Sequence, residues 1–322
     1  MAIAAIGQIC STASMAHNLE QCVSLVHRAA AAGAKVLFLP EASDYVAASP
    51  AESLQLAQPV RQSPFVRGLQ AAAQQHGIAV HVGVHVPVTV RAATTVTSTV
   101  APTVIDPAAH TKKLLNRAIW IDEAGQLDDD DAAAYDKLHL FDYAGAGLRE
   151  SAHTQAGTQL RSPRETAIGR VGSLICFDLR FPEVALALGQ PGSSSIPHLP
   201  AHIIVYPSAF TVPTGRAHWE VLLRARAIES QCYVVAAAQV GRHNERRVSY
   251  GRSLAVDPWG RVLCRLGGVV NGEAEDGSEP GDAEDGAVGQ LGLVDIDLAA
   301  WASIREKMPL VRRTDVYPEI TY

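Results

Sequence analysis

Few cysteines, no long apolar run and no surplus of basic charge characterise this sequence, and each shortage closes off a class of protein. Its five cysteines, at positions 10, 22, 176, 232 and 264, are an odd number without CxxC spacing. Neither a disulfide framework nor a paired redox motif is expected. Met1 leads directly into a strand-like run, and with the cysteine pattern this predicts a reduced, intracellular protein, cytoplasmic or mitochondrial. No stretch approaches the roughly 20 apolar residues of a membrane span, so no membrane partner is expected. The twelve histidines show no HExxH or Cys/His ligand spacing, so no metal is expected. Glycine-rich phosphate loops are missing, and no cofactor is assigned.

The formal net charge is −6, yet residues 272–286 alone hold seven carboxylates and no base, leaving +1 for the remainder. A nucleic-acid binder needs a basic stripe, and the scattered bases here exclude that class. The acidic runs at 128–131 and 272–286 read as solvated, mobile surface. With 48% hydrophobic residues over 322 positions there is material for a large core. No linker-like composition divides it, so one domain over 1–322 is expected.

Residues 2–10 have the composition of a buried strand, and 18–32 the pattern of a helix with Asn18 as N-cap and Gly33 just beyond its end. Residues 35–39 form a second short strand, halted by Pro40. The β-α-β unit repeats more loosely: helices near 64–76, 182–189 and 217–230 alternate with strands near 78–86, 117–122, 168–176, 202–206 and 232–238. Further strands fall near 251–257, 261–266 and 291–297, the first two joined by a turn at 257–260. This alternation predicts an α/β layer architecture. Residues 87–113, 190–200 and 272–286 interrupt the pattern as surface-loop insertions.

Three residues sit where such a layered fold places chemistry. Cys176 ends the apolar run VGSLIC and precedes the polar turn FDLRFPE. Helix-start N–H groups there would lower its pKa and ready the thiolate as a nucleophile. No histidine is placed to serve as its base. Glu41 follows the apolar strand KVLFLP, where apolar walls would raise its pKa toward the range useful for proton transfer. Lys137 lies among Tyr135, Leu138, Leu140 and Phe141, and an ammonium held there can donate to a developing oxyanion. Each residue alone has an ordinary structural explanation. Cys10, Cys22, Cys232 and Cys264 lie inside apolar patterns and keep it.

In order, the segments LPEASDY (39–45), YDKLHLFD (135–142) and SLICFDLRFPE (173–183) resemble the carbon–nitrogen hydrolase, or nitrilase, superfamily and its Glu-Lys-Cys set. The segments 206–210, 214–242 and 249–260 follow in the same order, and the likeness, strongest to the Nit branch of deaminated glutathione amidases, runs from about residue 2 to 318. It implies a four-layer αββα sandwich that assembles as a homodimer or higher oligomer. It also implies that Cys176 attacks an amide carbonyl, that Glu41 takes the thiol proton and later activates water, and that Lys137 and the Phe177 N–H hold the oxyanion. Glu150 matches a second glutamate that supports the lysine and orients the substrate.

Arg180 follows Cys176 by four residues, and its guanidinium is suited to a carboxylate or 2-oxo acid on a substrate. Its alternative is to brace the turn through Glu183 or Glu41. Ser208 and Phe210 follow a strand, and Thr214 opens a helix bearing His218 and Trp219, as a cap or an anion seat. Tyr45 is placed at the entrance. On the same helix Arg224, Arg226 and Glu229 form ion pairs at a packing or dimer face. The set suits a small-molecule amide of a short 2-oxo dicarboxylic acid, cleaved through a thioester. Deaminated glutathione, yielding 2-oxoglutarate and Cys-Gly, is the first expectation; 2-oxoglutaramate, yielding ammonia, is the second. A catalytically silent scaffold of the same fold is the contrasting class.

Overall fold

A computed structural model describes residues 1–91, 110–128, 134–144, 148–190, 198–270, 281–313 and 315–317. The strand-forming runs sort into two large mixed sheets. The first is ordered Gln290–Ile296, Ala2–Gln8, Val36–Phe38, Ala79–Arg91, His110–Ile121 and Leu127–Asp128, with Tyr135–Asp136 also paired on His110–Ile121. The second is ordered Val262–Arg265, Leu254–Val256, Tyr233–Ala236, Ile203–Val205, Gly169–Ser173 and Arg164–Thr166. The helices are α1 (Met15–Ala31), α2 (Pro50–Leu56), α3 (Pro64–His76), α4 (Pro182–Gly189), α5 (Val212–Ser230) and α6 (Leu298–Lys307).

The central strands are apolar on both faces because both faces are covered. Ala4, Ile6, Val36 and Phe38 meet Val171, Ile203, Val205 and Val235 between the sheets. The alternating residues turn outward: Ala5 and Leu37 pack under α1 and α3, while Ile204 and Val234 pack under α4 and α5. The result is the four-layer αββα sandwich. Burying a side chain such as Phe38 in that central layer contributes roughly 1.5–3 kcal/mol.

Several boundaries differ from the sequence reading. The first helix begins at Met15, and Ser14 rather than Asn18 caps it by accepting the His17 N–H. Asn18 lies inside the helix, where its amide bonds the carbonyls of Thr12 and Asp44. Residues 87–91 and 110–113, expected within an insertion, continue the long hairpin of Ala79–Arg91 with His110–Ile121; 92–109 lie outside the described residues. Residues 191–197 and 129–131 lie outside them as well, while Asp128 pairs with Arg164. Of the acidic stretch, 272–280 are not described, but its far end is fastened rather than freely solvated. Asp282 pairs with Arg242 at 3.1 Å, and Glu284 binds Arg252 and the Gly268 N–H. The turn at 257–260 does join two antiparallel strands, with Asp257 accepting the N–H groups of Trp259 and Arg261.

Candidate active site

Val36–Phe38 is a short parallel strand in the first sheet, and the chain leaves it through Leu39 and Pro40 to reach Glu41. The neighbouring strand must let this turn come close. A Cβ on Gly83 would stand 2.6 Å from the Glu41 Cα, so only glycine fits there. Ser43 N–H donates to the Gly83 carbonyl, Gly83 N–H to that of Pro40, and Ala42 adopts a left-handed φ of 55°. Glu41 is thereby fixed, buried, at the end of the sheet.

Opposite it, Gly169–Ser173 of the second sheet leads to a short helical turn over Cys176–Arg180. Cys176 has a φ of 45°, a conformation that typically costs an L-residue about 1–2 kcal/mol. The surroundings hold it there. Its N–H donates to the Pro207 carbonyl, and the fully buried Asp178 carboxylate accepts the Ile175 N–H, the His139 N–H and the Tyr135 hydroxyl. Arg226 of α5 donates to the Leu179 carbonyl and to Glu229, tying the helix to the same turn.

Lys137 arrives from the edge of the first sheet, its N–H on the Asn116 carbonyl, beside the forked Arg117–Asp136 pair. Its buried Nζ lies 3.0 Å from Glu41 Oε1 and 3.1 and 2.9 Å from the two Glu150 oxygens. Asn116 Nδ2 donates to Glu41 Oε1 at 2.6 Å and to Glu150 Oε1 at 3.3 Å. The Phe141 N–H completes the cradle of Glu150. The Cys176 thiol lies within electrostatic reach of both Glu41 and Lys137. Four side chains from separate segments, Glu41, Lys137, Glu150 and Cys176, thus share one buried cluster.

Its electrostatics reverse two expectations. Burial pushes the Glu41 carboxyl up, but the Lys137 ammonium, the nearby Cys176 thiol and hydrogen bonds from Lys137 and Asn116 outweigh it and hold the pKa below the ordinary carboxylate range. Glu41 is therefore an ionised acceptor at rest, rather than a group raised by apolar walls. Burial and the Glu41 charge push the Cys176 thiol well above its ordinary range, although Lys137 and the Ala209 N–H pull the other way. The resting sulfur is protonated, not a preformed thiolate. Burial opposes the charge on Lys137, but Glu150 and Glu41 keep its pKa well above the usual value.

The other anticipated positions are more dispersed. Phe177 stands next to Cys176 in an aromatic row with Phe141 and Phe181. Phe210 is buried against Trp219. Arg180 Nη2 donates to His218 Nδ1 at 2.9 Å, and its Nε is buried without a hydrogen-bond partner among the described residues. Ser208 is fully buried, and its hydroxyl donates to the Tyr206 carbonyl. Tyr45, expected at an entrance, is buried, its hydroxyl on the Ser53 carbonyl of α2 and its ring stacked on His85 at 4.6 Å. Thr211, not Thr214, is the N-cap of α5; the Thr214 hydroxyl donates back to the Thr211 carbonyl.

Sequence reasoning passed over Asn116, Asp178, and the pair of Asp44 and His85. The available signal was a polar residue inside an apolar strand, as in LLNRAIW for Asn116 and HVGVHV for His85. A buried polar side chain there needs a partner, and the partner here is the cluster.

Two sheets face to face between helices, with the clustered thiol, carboxylates and ammonium at their edge, have the architecture of the nitrilase-like hydrolases. A profile of the family described as carbon-nitrogen hydrolase matches residues 3–306. The chain is 41% identical over 323 residues to the probable hydrolase nit2 of Schizosaccharomyces pombe, covering 99% of this chain and 100% of that protein. It is 38% identical over 320 residues to the deaminated glutathione amidase of Mus musculus, covering 98% and 84%. The crystal structure of the Caenorhabditis elegans NitFhit protein superposes with a TM-score of 0.75 at 34% identity, covering 98% of this chain and 67% of that one. The chain belongs to the carbon–nitrogen hydrolase family, and it is a hydrolase acting on carbon–nitrogen bonds.

Proposed function

We propose that this protein is an amidase for a small 2-oxo dicarboxylic amide, with deaminated glutathione as the substrate and 2-oxoglutarate and Cys-Gly as products. One observation carries the chemistry: the buried Cys176 shares its cluster with a buried Glu41 whose carboxylate stands 3.0 Å from the Lys137 ammonium. Cys176 Sγ attacks the amide carbon as Glu41 takes its proton, and the Lys137 ammonium and Phe177 N–H receive the charge that develops on oxygen. The tetrahedral adduct collapses with cleavage of the C–N bond, and Glu41 returns the proton to the departing amine. Water then gives a proton to Glu41, its hydroxide adds to the thioester carbon, and the thiolate leaves and recovers that proton. Glu150 keeps the ammonium in place and balances its charge.

The substrate assignment draws on the mouse relative, named deaminated glutathione amidase, and on Arg180 as the reader of the substrate carboxylate. Arg180→Lys keeps the charge but loses the fork, so discrimination for the 2-oxo dicarboxylic amide over an uncharged amide falls by about 1.5–3 kcal/mol. Equal losses on both substrates would make Arg180 a brace of the turn. The reading also includes assembly as a homodimer or higher oligomer, supported by the exposed Val221 and Ile228 of α5 beside the exposed Trp259. The deciding experiment compares release of Cys-Gly from deaminated glutathione with release of ammonia from 2-oxoglutaramate. Faster ammonia release would make the protein an omega-amidase, and inertness toward both would make it a silent scaffold.

A further inference from the structure

His81, Gly83 and His85 lie on the face of Ala79–Arg91 that looks between the sheets, since Val80, Val82 and Val84 pack on the other side under the helices. Gly83 touches Glu41, and His85 lies one step further along the same face. Across the hairpin His85 is paired with Asn116, the residue that donates to both Glu41 and Glu150. The imidazole therefore stands beside the catalytic carboxylates, although no step assigned so far uses it.

Its orientation is clamped from one side. Asp44, three residues beyond Glu41, accepts the His85 N–H at 2.8 Å through one oxygen and stands 3.0 Å from Nδ1 through the other. A carboxylate only accepts, so Nδ1 carries the proton. Asp44 is in turn held by the Tyr45 N–H, and the Tyr45 ring stacks on the imidazole at 26°. Nε2 makes no hydrogen bond to any described residue, and the side chain keeps 16% of its surface exposed. This is a preset ring with one free polar edge at the substrate end of the sheet.

We infer that His85 is a specificity-determining residue, donating from Nε2 to the 2-oxo acid head of the acyl group. The inference rests on the amidase reading above and deepens it. A 2-oxo acid head presents a carboxylate and an adjacent keto oxygen, more acceptors than one guanidinium fills, so Arg180 and His85 share it. The acyl side, not the amine side, is assigned because the amine must leave before water enters, whereas His85 lies in the interior. The charges around it fit a cationic imidazole. Asp44 from its own clamp, Glu41 from the facing turn and Glu150 from the next all favour the proton, against burial and the nearby His153; Glu52 of α2 turns instead to the Ala48 N–H. The balance raises the imidazole above its ordinary range.

The test uses binding as well as turnover. In Cys176→Ala protein, whose thiol no longer titrates, affinity for 2-oxoglutarate is measured by calorimetry from pH 6 to 9. It is expected to weaken as pH rises through the imidazolium titration, a dependence that guanidinium cannot produce. Adding His85→Gln should lower affinity at pH 6 at least tenfold and flatten the profile. In the active protein, His85→Gln should reduce the ratio of kcat/KM for the 2-oxo dicarboxylic amide to that for an uncharged amide by a similar factor. An unchanged ratio, or a pH profile that survives His85→Gln, overturns the assignment. Loss of Cys-Gly binding with 2-oxoglutarate binding intact would place His85 on the amine side and overturn it too. Failure of the amidase reading is seen separately, in wild-type protein that releases neither Cys-Gly nor ammonia, and a Cys176→Ala protein that binds no 2-oxoglutarate refutes the His85 assignment directly.

Discussion

The turns that carry Glu41 and Cys176 lie at the ends of facing sheets, and both contain a left-handed non-glycine residue, yet of the two residues only Glu41 is also held through charged contacts of its own side chain. Glu41 is held by its backbone, through the close approach of Gly83 and the Gln239 amide on its carbonyl, and also by its carboxylate, which takes hydrogen bonds from Asn116 and Lys137. Cys176 is positioned through its backbone, by the φ of 45°, the bond to Pro207 and the Asp178 carboxylate beneath the turn. Glu41 thus depends in addition on a charge network that a single side-chain change can retune. Cys176 depends on a peptide conformation that tolerates changes at the sulfur itself.

Four substitutions break or sharpen this contrast. Cys176→Ser leaves the backbone cradle intact and removes only the sulfur, so hydrolysis should fall by ~1,000-fold or more while the melting temperature stays close to wild type. A serine variant with more than a few per cent of activity would refute the nucleophile. Glu41→Gln keeps volume but cannot accept a proton, and should lower kcat by about 100- to 10,000-fold. Because Lys137 retains Glu150, thermal unfolding should change little, and normal turnover would require a different base. Asp178→Asn weakens what holds the thiol's turn and should destabilise the protein by about 1–3 kcal/mol in urea unfolding. Unaltered stability would show that the turn is held without it.

The smallest effect is expected for Asn116→Ala, a severalfold loss in kcat with a change in pH dependence. Since the Glu41 carboxyl is held below its ordinary range, wild-type activity should persist as pH falls and be lost only on the acid side of that range. Removing the Asn116 donor takes away one of the effects that lower the pKa, so the acid limb should move to higher pH. An unmoved limb would mean that the limb reports another group.

The residues that cluster were legible where they lie at strand ends. Glu41 after KVLFLP and Cys176 after VGSLIC stand where layered α/β folds expose side chains, and Lys137 stood out against its apolar neighbours. The charge states were not legible, because they depend on three segments meeting. A glutamate beside apolar residues suggests a raised pKa until an ammonium 3.0 Å away is known. The strand boundary near 117 stopped one residue short of Asn116, and the continuation of the hairpin through 110–113 was hidden by polar, largely exposed sequence that is held as strand only by pairing. Helices α2 and α6 went unseen for a related reason. Neither has a fully buried residue, so neither shows a strong apolar stripe.

The pairing of Ala2–Gln8 with Gln290–Ile296 has a consequence for synthesis and folding. The first strand leaves the ribosome early, but its antiparallel partner is made nearly three hundred residues later. The buried Gln8 side chain likewise waits for Ser253, Gly267 and Ala287. Until then one edge of the first sheet is open and able to pair with a strand from another nascent chain. Sequence separations of this size slow folding, because the loop must close before the contact repays it. The protein should therefore depend on protection of that edge during translation far more than its native stability would suggest.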